Sequence, residues 1–132
     1  MKKETEDWLK IAHEEYEAAK YLLEKELYRM VCYHGQQTVE KVLKAVLTER
    51  EIDVARTHNI IDLKNAVVEI GVGIELSDEN AVFLNSVYRS RYPSDLGILP
   101  SGEPTKGDAE KALGIAKMIV DQVQVLKQAG RL

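Results

Sequence analysis

The stretch YRMVCYHGQQTVEKVLKAVLTER, which runs from Tyr28 to Arg50, decides the fold of this chain. Its small and apolar residues recur at intervals of three and four, which is the period of an amphipathic helix. A β-strand would alternate at every second residue, and this stretch does not. The sequence therefore predicts a long helix, whose buried stripe is formed by Val31, Cys32, Gly35, Val39, Val42, Leu43, Val46 and Leu47.

A column of polar residues runs beside this stripe. Gln36, Glu40 and Lys44 are spaced by four, and Glu40 precedes Lys44 in the order that favours an ion pair along a helix. One interpretation is that this column, together with Gln37 and Lys41, is a solvated face carrying surface salt bridges. The other is that some of these side chains contact a ligand. The spacing alone does not separate the two.

Length and composition limit the classes of protein that fit. The chain has 132 residues, 45% of them hydrophobic, and a formal charge of -4. These values predict one domain spanning residues 1–132, and the acidic balance argues against broad, non-specific binding of nucleic acid. We expect a cytoplasmic protein without a membrane anchor, because no apolar run approaches 18 residues. The single Cys32 is predicted to be a buried, inert thiol.

Four further helical patterns flank the central stretch, at about residues 4–26, 60–70, 77–92 and 105–128. Gly71 marks the end of the third helix, and Ser77 is a predicted N-cap of the fourth. Thr105 and Asp108 form a capping pair before the last helix. We therefore predict an all-α, up-and-down bundle of about five helices.

The end of the fourth helix carries a concentrated set of polar residues. Arg89, Arg91 and Tyr92 precede a proline-bounded loop from Pro93 to Pro104. Two guanidinium groups can bind phosphate, and the aromatic ring offers a stacking surface for a base. Alternatively, cations in a last helical turn complement the helix dipole.

His58 precedes the third helix, where a side chain can cap the helix or anchor the connector, and this structural role is preferred over catalysis. The sequence contains no glycine-rich phosphate loop, no paired cysteines and no HExxH motif. We therefore predict no metal site and no cofactor, and a conventional hydrolase or redox enzyme is not expected.

Taken in order, these residues resemble the HEPN domain. The resemblance is carried by Trp8, Tyr28, Gln36-Gln37-x-x-Glu40-Lys41-x-x-Lys44-Ala45, His58-x-Ile60-x-x-Leu63 and Tyr88-x-x-Arg91-Tyr92-Pro93. It implies an all-α bundle of about five helices and a homodimer. It further implies a partner, a minimal nucleotidyltransferase encoded by a neighbouring gene, nucleotide or RNA binding, and a place in a toxin–antitoxin pair.

In many HEPN toxins, which are metal-independent ribonucleases, an arginine and a histidine near the last long helix are separated by four to six residues. Here no histidine follows His58, so neither Arg89 nor Arg91 can complete that motif. Arg29 and His34 have the spacing, but they lie at the start of the second helix. The alternative function is a ribonuclease that uses such a non-standard pair.

The preferred function is a binding module for a nucleotide or nucleic acid. A third hypothesis is architectural, with Arg91 bonded to Glu40 so that the polar residues hold the loop and build the dimer. The predicted ligand contacts are Arg91, Tyr92, Arg89, Lys44, His58, Gln37 and Glu40.

Overall fold

The computed structural model describes residues 1–53, 56–89 and 102–132. In these ranges the chain forms five helices and no strands: α1 Lys3–Glu24, α2 Tyr28–Glu49, α3 Ile60–Glu69, α4 Asp78–Arg89 and α5 Lys106–Gln128. The prediction of an all-α bundle of about five helices is confirmed. The predicted end of the fourth helix at Arg91 and Tyr92 lies outside the described residues, as does most of the loop that follows.

Helix α2 is the centre of the bundle. It packs against each of the other four helices, and most extensively against α1 and α5. Fifteen of its 22 residues are buried, so its polar column cannot lie wholly in solvent. The close approach of α5 depends on Gly35, since a Cβ atom there would lie 3.2 Å from the backbone oxygen of Ala112.

The turn between α1 and α2 uses a glutamate where a glycine is usual. Glu26 has φ 59°, which is the left-handed conformation. The Leu27 N–H donates to the Leu22 oxygen at 3.1 Å, and the Glu26 N–H donates to the Leu23 oxygen at 3.0 Å. These two bonds are the Schellman pattern, which satisfies the last carbonyl groups of α1. The turn is therefore well formed although the sequence carries no glycine or proline to mark it.

The predicted N-caps of α4 and α5 are confirmed. The Asn80 N–H donates to the Ser77 hydroxyl oxygen at 3.1 Å. Thr105 and Asp108 form a reciprocal capping box at the start of α5. These bonds fix where both helices begin.

The start of α1 is capped from another helix. Lys2 occupies the N-cap position, and its backbone N–H donates to Oε1 of Glu49 on α2 at 3.0 Å. This bond, with a smaller contribution from the nearby Thr5 hydroxyl, lowers the pKa of Glu49. The Thr5 hydroxyl is buried and falls short of a well-formed hydrogen bond with any described residue. Glu49 thus supplies the negative charge that a helix N-terminus favours.

This arrangement predicts a pH-dependent loss of stability in the Glu49→Gln variant. Because the pKa of Glu49 is lower in the folded state, its contribution is present above its ordinary value of 4.5 and is lost as the pH falls through the folded-state pKa. Since Glu49 is only partly buried and solvent screens its interactions, we expect a cost of about 0.5 kcal/mol at pH 7. Urea denaturation at pH 7 and pH 3 measures it. A difference from wild type that persists unchanged at pH 3 contradicts the prediction, and Glu110→Gln, on the exposed face of α5, is the matched control.

Candidate functional site

The polar column of α2 is buried, which corrects its interpretation as a solvated face. Gln37, Glu40 and Lys44 are only 5%, 2% and 6% exposed. The covering groups come from two directions, because Trp8 of α1 lies against Lys44 and His58 of the following connector lies against Glu40. These covering contacts come from distant parts of the chain, so the spacing within α2 cannot reveal them.

Glu40 is the centre of this buried network. Its Oε1 accepts hydrogen bonds from Gln36 Nε2 at 3.2 Å and from His58 Nδ1 at 2.9 Å. Its Oε2 accepts from Lys44 Nζ at 3.2 Å, and the Lys44 ammonium lies 5.7 Å from the centre of the Trp8 ring. A buried carboxylate is tolerated only when it is paired and hydrogen-bonded. Both Glu40 oxygens meet that condition.

The amide groups beside Glu40 have only one orientation that satisfies their bonds. Lys41, which also pairs with Glu15 at 3.7 Å, donates to Gln37 Oε1. Because an ammonium group can only donate, Gln37 must present its oxygen to Lys41 and its Nε2 to Gln36 Oε1, at 2.8 Å. Gln36 then donates from Nε2 to Glu40. The chain of bonds therefore has a fixed direction and ends on the carboxylate.

His58 connects this network to the surface. Its side chain is 53% exposed, and its ring stacks on Tyr88 with centroids 5.0 Å apart. Tyr88 stacks in turn on Tyr33, at 6.1 Å. Since the Glu40 carboxylate accepts a bond at Nδ1, that nitrogen carries the proton, and Nε2 is the nitrogen that a ligand can reach. His58 lines a surface cleft of about 280 Å³ together with Asn59, Asn85, Tyr88 and Arg89.

Two asparagines that sequence reasoning did not assign to the site build this cleft. Asn59, not His58, caps α3: its Oδ1 accepts from the N–H groups of Ile61 and Asp62. Asn85 of α4 donates to the same oxygen at 3.0 Å and accepts from the Ile60 N–H at 2.9 Å. The cap could have been found, because asparagine before an apolar periodic run is a strong N-cap signal. Its hydrogen-bond partner on α4, Asn85, could not have been found from the sequence, because it is 26 residues away.

The structure thus divides the predicted ligand residues into three groups. His58 and Arg89 line the same cleft. Gln37, Glu40 and Lys44 belong to the buried network behind His58, where they can orient the ring but do not line the cleft. Arg91 and Tyr92 lie outside the described residues, and with them the proposed bond from Arg91 to Glu40.

The described contacts do not bring Arg29 and His34 together as the non-standard catalytic pair of the alternative function. Arg29 forms an ion pair with Glu103, at 3.6 Å, near the start of α5. His34 Nδ1 lies 2.9 Å from Glu15 Oε1 on α1. The two side chains therefore have separate partners, and no described contact joins them.

The remaining sequence predictions concern the reactivity of Cys32, metal binding and membrane-spanning helices. Cys32 is buried, as predicted. Burial raises the pKa of its thiol to about 12, and a thiol with so high a pKa is a poor nucleophile at neutral pH. Across the described ranges, no cluster of three or more histidine, cysteine or acidic side chains is arranged to hold a metal ion. No helix in those ranges combines the length and apolar character that crossing a membrane requires.

These features define a class of protein: a five-helix bundle whose central helix carries a buried polar network that opens into one side cleft. A family model described as "HEPN domain" matches residues 5–126. The chain belongs to the HEPN domain family, as the sequence motifs predicted.

Individual relatives agree with this assignment. The protein named "Putative toxin MJ1304" from Methanocaldococcus jannaschii is 30% identical over 128 residues, covering 89% of this chain and 84% of that protein. The crystal structure of TT1696 from Thermus thermophilus matches with a TM-score of 0.68 at 25% identity, covering 91% of this chain and 95% of the other. The crystal structure of ST0689, an archaeal HEPN homologue, matches with a TM-score of 0.62 at 26% identity, covering 94% and 97%.

Proposed function

We propose that this protein is the HEPN component of a toxin–antitoxin-type pair and that it binds a nucleotide or an RNA end in the cleft between His58 and Arg89. The observation that carries the proposal is the imidazole of His58, which is held at Nδ1 by a buried carboxylate and belongs to a residue that lines a cleft together with Arg89. The toxin name of the relative supports the biological role.

The chemistry of the cleft matches a phosphate-bearing ligand. An arginine side chain offers several N–H donors for phosphate oxygens, and Nε2 of the histidine adds one more donor when the ring is protonated. The backbone around the site is fixed before a ligand arrives, since Asn59 and Asn85 tie α3 to α4 and Gln36 donates to the His58 carbonyl oxygen at 3.3 Å. Such preorganisation reduces the entropic cost of binding.

Titration of a fluorescent adenine nucleotide into the purified protein tests the proposal. We expect His58→Ala and Arg89→Ala each to weaken binding at least about tenfold, because each removes a hydrogen bond to a charged group. His13→Ala is the matched control, since His13 is an exposed histidine on α1 outside the cleft. Binding that is unchanged in both cleft variants would overturn the assignment of this site.

The proposal includes two kinds of partner, a second copy of this chain in a homodimer and a minimal nucleotidyltransferase. Co-expression with a neighbouring nucleotidyltransferase gene, followed by size exclusion with mass determination, tests both. A monomer that forms no complex would contradict both proposed partners. Ligand binding in the cleft would then be tested by the titration alone.

A further inference from the structure

We propose that the groove between α1 and α5 is the docking site for an amphipathic helix of a protein partner, in which acidic residues flank a ridge of apolar side chains. The inference goes beyond the proposed function, because the groove shares no lining residue with the cleft. It follows from the spacing of the lining residues, the apolar floor of the groove and the charges on its rims.

The walls of the groove are two helix faces. The groove has a volume of about 300 Å³. Each helix contributes one row of lining residues: Glu6, Leu9, Lys10 and His13 from α1, and Val120, Val123, Gln124 and Lys127 from α5. Both rows are spaced by three and four, and each extends over about two helical turns. A third helix can insert a ridge of side chains between two such faces, which is the helix-in-groove mode of recognition.

The floor of the groove is apolar. Ala12 and Val42 are its most deeply buried lining residues, each only 1% exposed. Leu9, Val120 and Val123 continue this apolar surface along the walls. Apolar side chains of a partner would leave water on entering the groove, and this transfer is the main driving force for association.

The groove and the cleft lie on different sides of α2. Glu40 bonds to His58 of the cleft, whereas Val42, two residues later, lines the groove. Because successive residues are about 100° apart around a helix, these two side chains project from nearly opposite sides. A helix docked between α1 and α5 therefore leaves the cleft open.

The rims of the groove are cationic on a chain whose formal charge is -4. Lys10 stands on the α1 rim and Lys127 on the α5 rim, together with one carboxylate, that of Glu6. His13, also on the α1 rim, lies 3.8 Å from the carboxylate of Glu17. The charge of the rims is therefore opposite in sign to that of the whole protein, and it matches a partner with acidic residues beside its apolar ridge.

Lys10 and Lys127 also differ from the other lysines of the chain, all of which are described. Every other lysine except Lys106 forms an ion pair with a carboxylate or lies over an aromatic ring. Among the described contacts, the two rim lysines do neither. Their ammonium groups are therefore available to the carboxylates of a partner, and such rim charges mainly determine which partner is selected.

Three fluorescent helical peptides, titrated with the whole protein and followed by anisotropy, test this proposal. The first has leucines at i, i+4 and i+7 with glutamates beside them, the second has lysines in place of the glutamates, and the third is a scrambled form of the first. We expect the acidic peptide to bind at least about fivefold more tightly than the basic one, because exposed ion pairs replace repulsions at two positions. The scrambled peptide lacks the ridge and should bind most weakly. The net charge of the protein favours the basic peptide, so a preference for the acidic one reports the rims.

Charge reversal on the rims should invert this preference. The double variant Lys10→Glu, Lys127→Glu is expected to bind the basic peptide more tightly than the acidic one. The double variant Lys25→Glu, Lys111→Glu is the matched control, since it changes the net charge equally at two exposed lysines outside the groove. In about 1 M salt, which screens exposed charges, the two peptides should bind wild type almost equally.

A neutral change on the wall separates the apolar contribution from the charges. Val120→Asn should weaken both the acidic and the basic peptide about fivefold or more, because it places an amide where an apolar side chain is to be buried. Val125→Asn is the matched control, as this valine of α5 is 65% exposed and does not line the groove. Melting curves verify that each variant is folded.

The possible outcomes separate this inference from the proposed function. No binding of the acidic peptide at millimolar concentration, equal binding of the acidic and basic peptides, or a preference that survives charge reversal overturns the inference. A change from dimer to monomer in the Lys10→Glu, Lys127→Glu variant, measured by mass, would show that a second copy of the chain covers the groove, and this also overturns it. None of these results alters the nucleotide titration that tests the cleft.

Discussion

The Glu40→Ala variant should lose about 3–5 kcal/mol of folding free energy. The substitution leaves the Lys44 ammonium, whose side chain is only 7% exposed, without its carboxylate partner. It also removes an acceptor from Gln36 and from His58 Nδ1. An uncompensated buried charge is among the most destabilising changes a core can undergo, and the expected loss is a large share of the total stability of a small domain.

A double-mutant cycle measured by urea denaturation separates this cost from the loss of packing. We expect the double variant Glu40→Leu, Lys44→Met to be clearly more stable than Glu40→Leu alone, since no charge is then left buried. If the double variant is instead destabilised by the sum of the two single changes, Glu40 and Lys44 do not interact, and the buried ion pair has no energetic role.

The Gly35→Val variant should be destabilised by about 1–3 kcal/mol through overpacking. A Cβ atom at this position would lie 3.2 Å from the Ala112 oxygen and 3.3 Å from the Ala112 Cβ. Valine adds two methyl groups beyond that atom, and α5 must move away from α2 to accommodate them. Interiors are closely packed, so such a shift disturbs neighbouring contacts.

Gly114→Val on α5 is the matched control. No atom lies within 4 Å of a Cβ placed there. Because glycine is the poorer helix former, we expect this variant to be as stable as wild type or slightly more stable. Thermal unfolding of both variants measures the contrast. Similar losses at both positions would show that glycine is needed for a reason other than the α2–α5 contact.

Much of this fold could be predicted because its signals are local. The apolar period of three and four identified α2, and the cap residues Ser77 and Thr105 placed the starts of two other helices. The turn at Glu26 had no such signal, since a glutamate there adopts a conformation usual for glycine. Its position is set by the two helices that it joins.

The site was only partly predictable, for a related reason. Arg89 was recognised as a residue type that binds phosphate, and His58 was among the predicted ligand contacts. Their meeting in one cleft depends on how α4 packs against the start of α3. The burial of Glu40 depends on groups that follow and precede it by many residues. A pattern of charges spaced by four is the same whether water or protein covers it.

The contact between Lys44 and Trp8 makes Trp8 an intrinsic fluorescent probe of the buried network. Trp8 is the single tryptophan of the chain, and the ammonium group that balances Glu40 lies 5.7 Å from the centre of its ring. Indole emission responds to nearby charge, because excitation changes the dipole of the ring. We therefore expect the intrinsic fluorescence of the unmodified protein to change with the state of the Glu40–Lys44 ion pair.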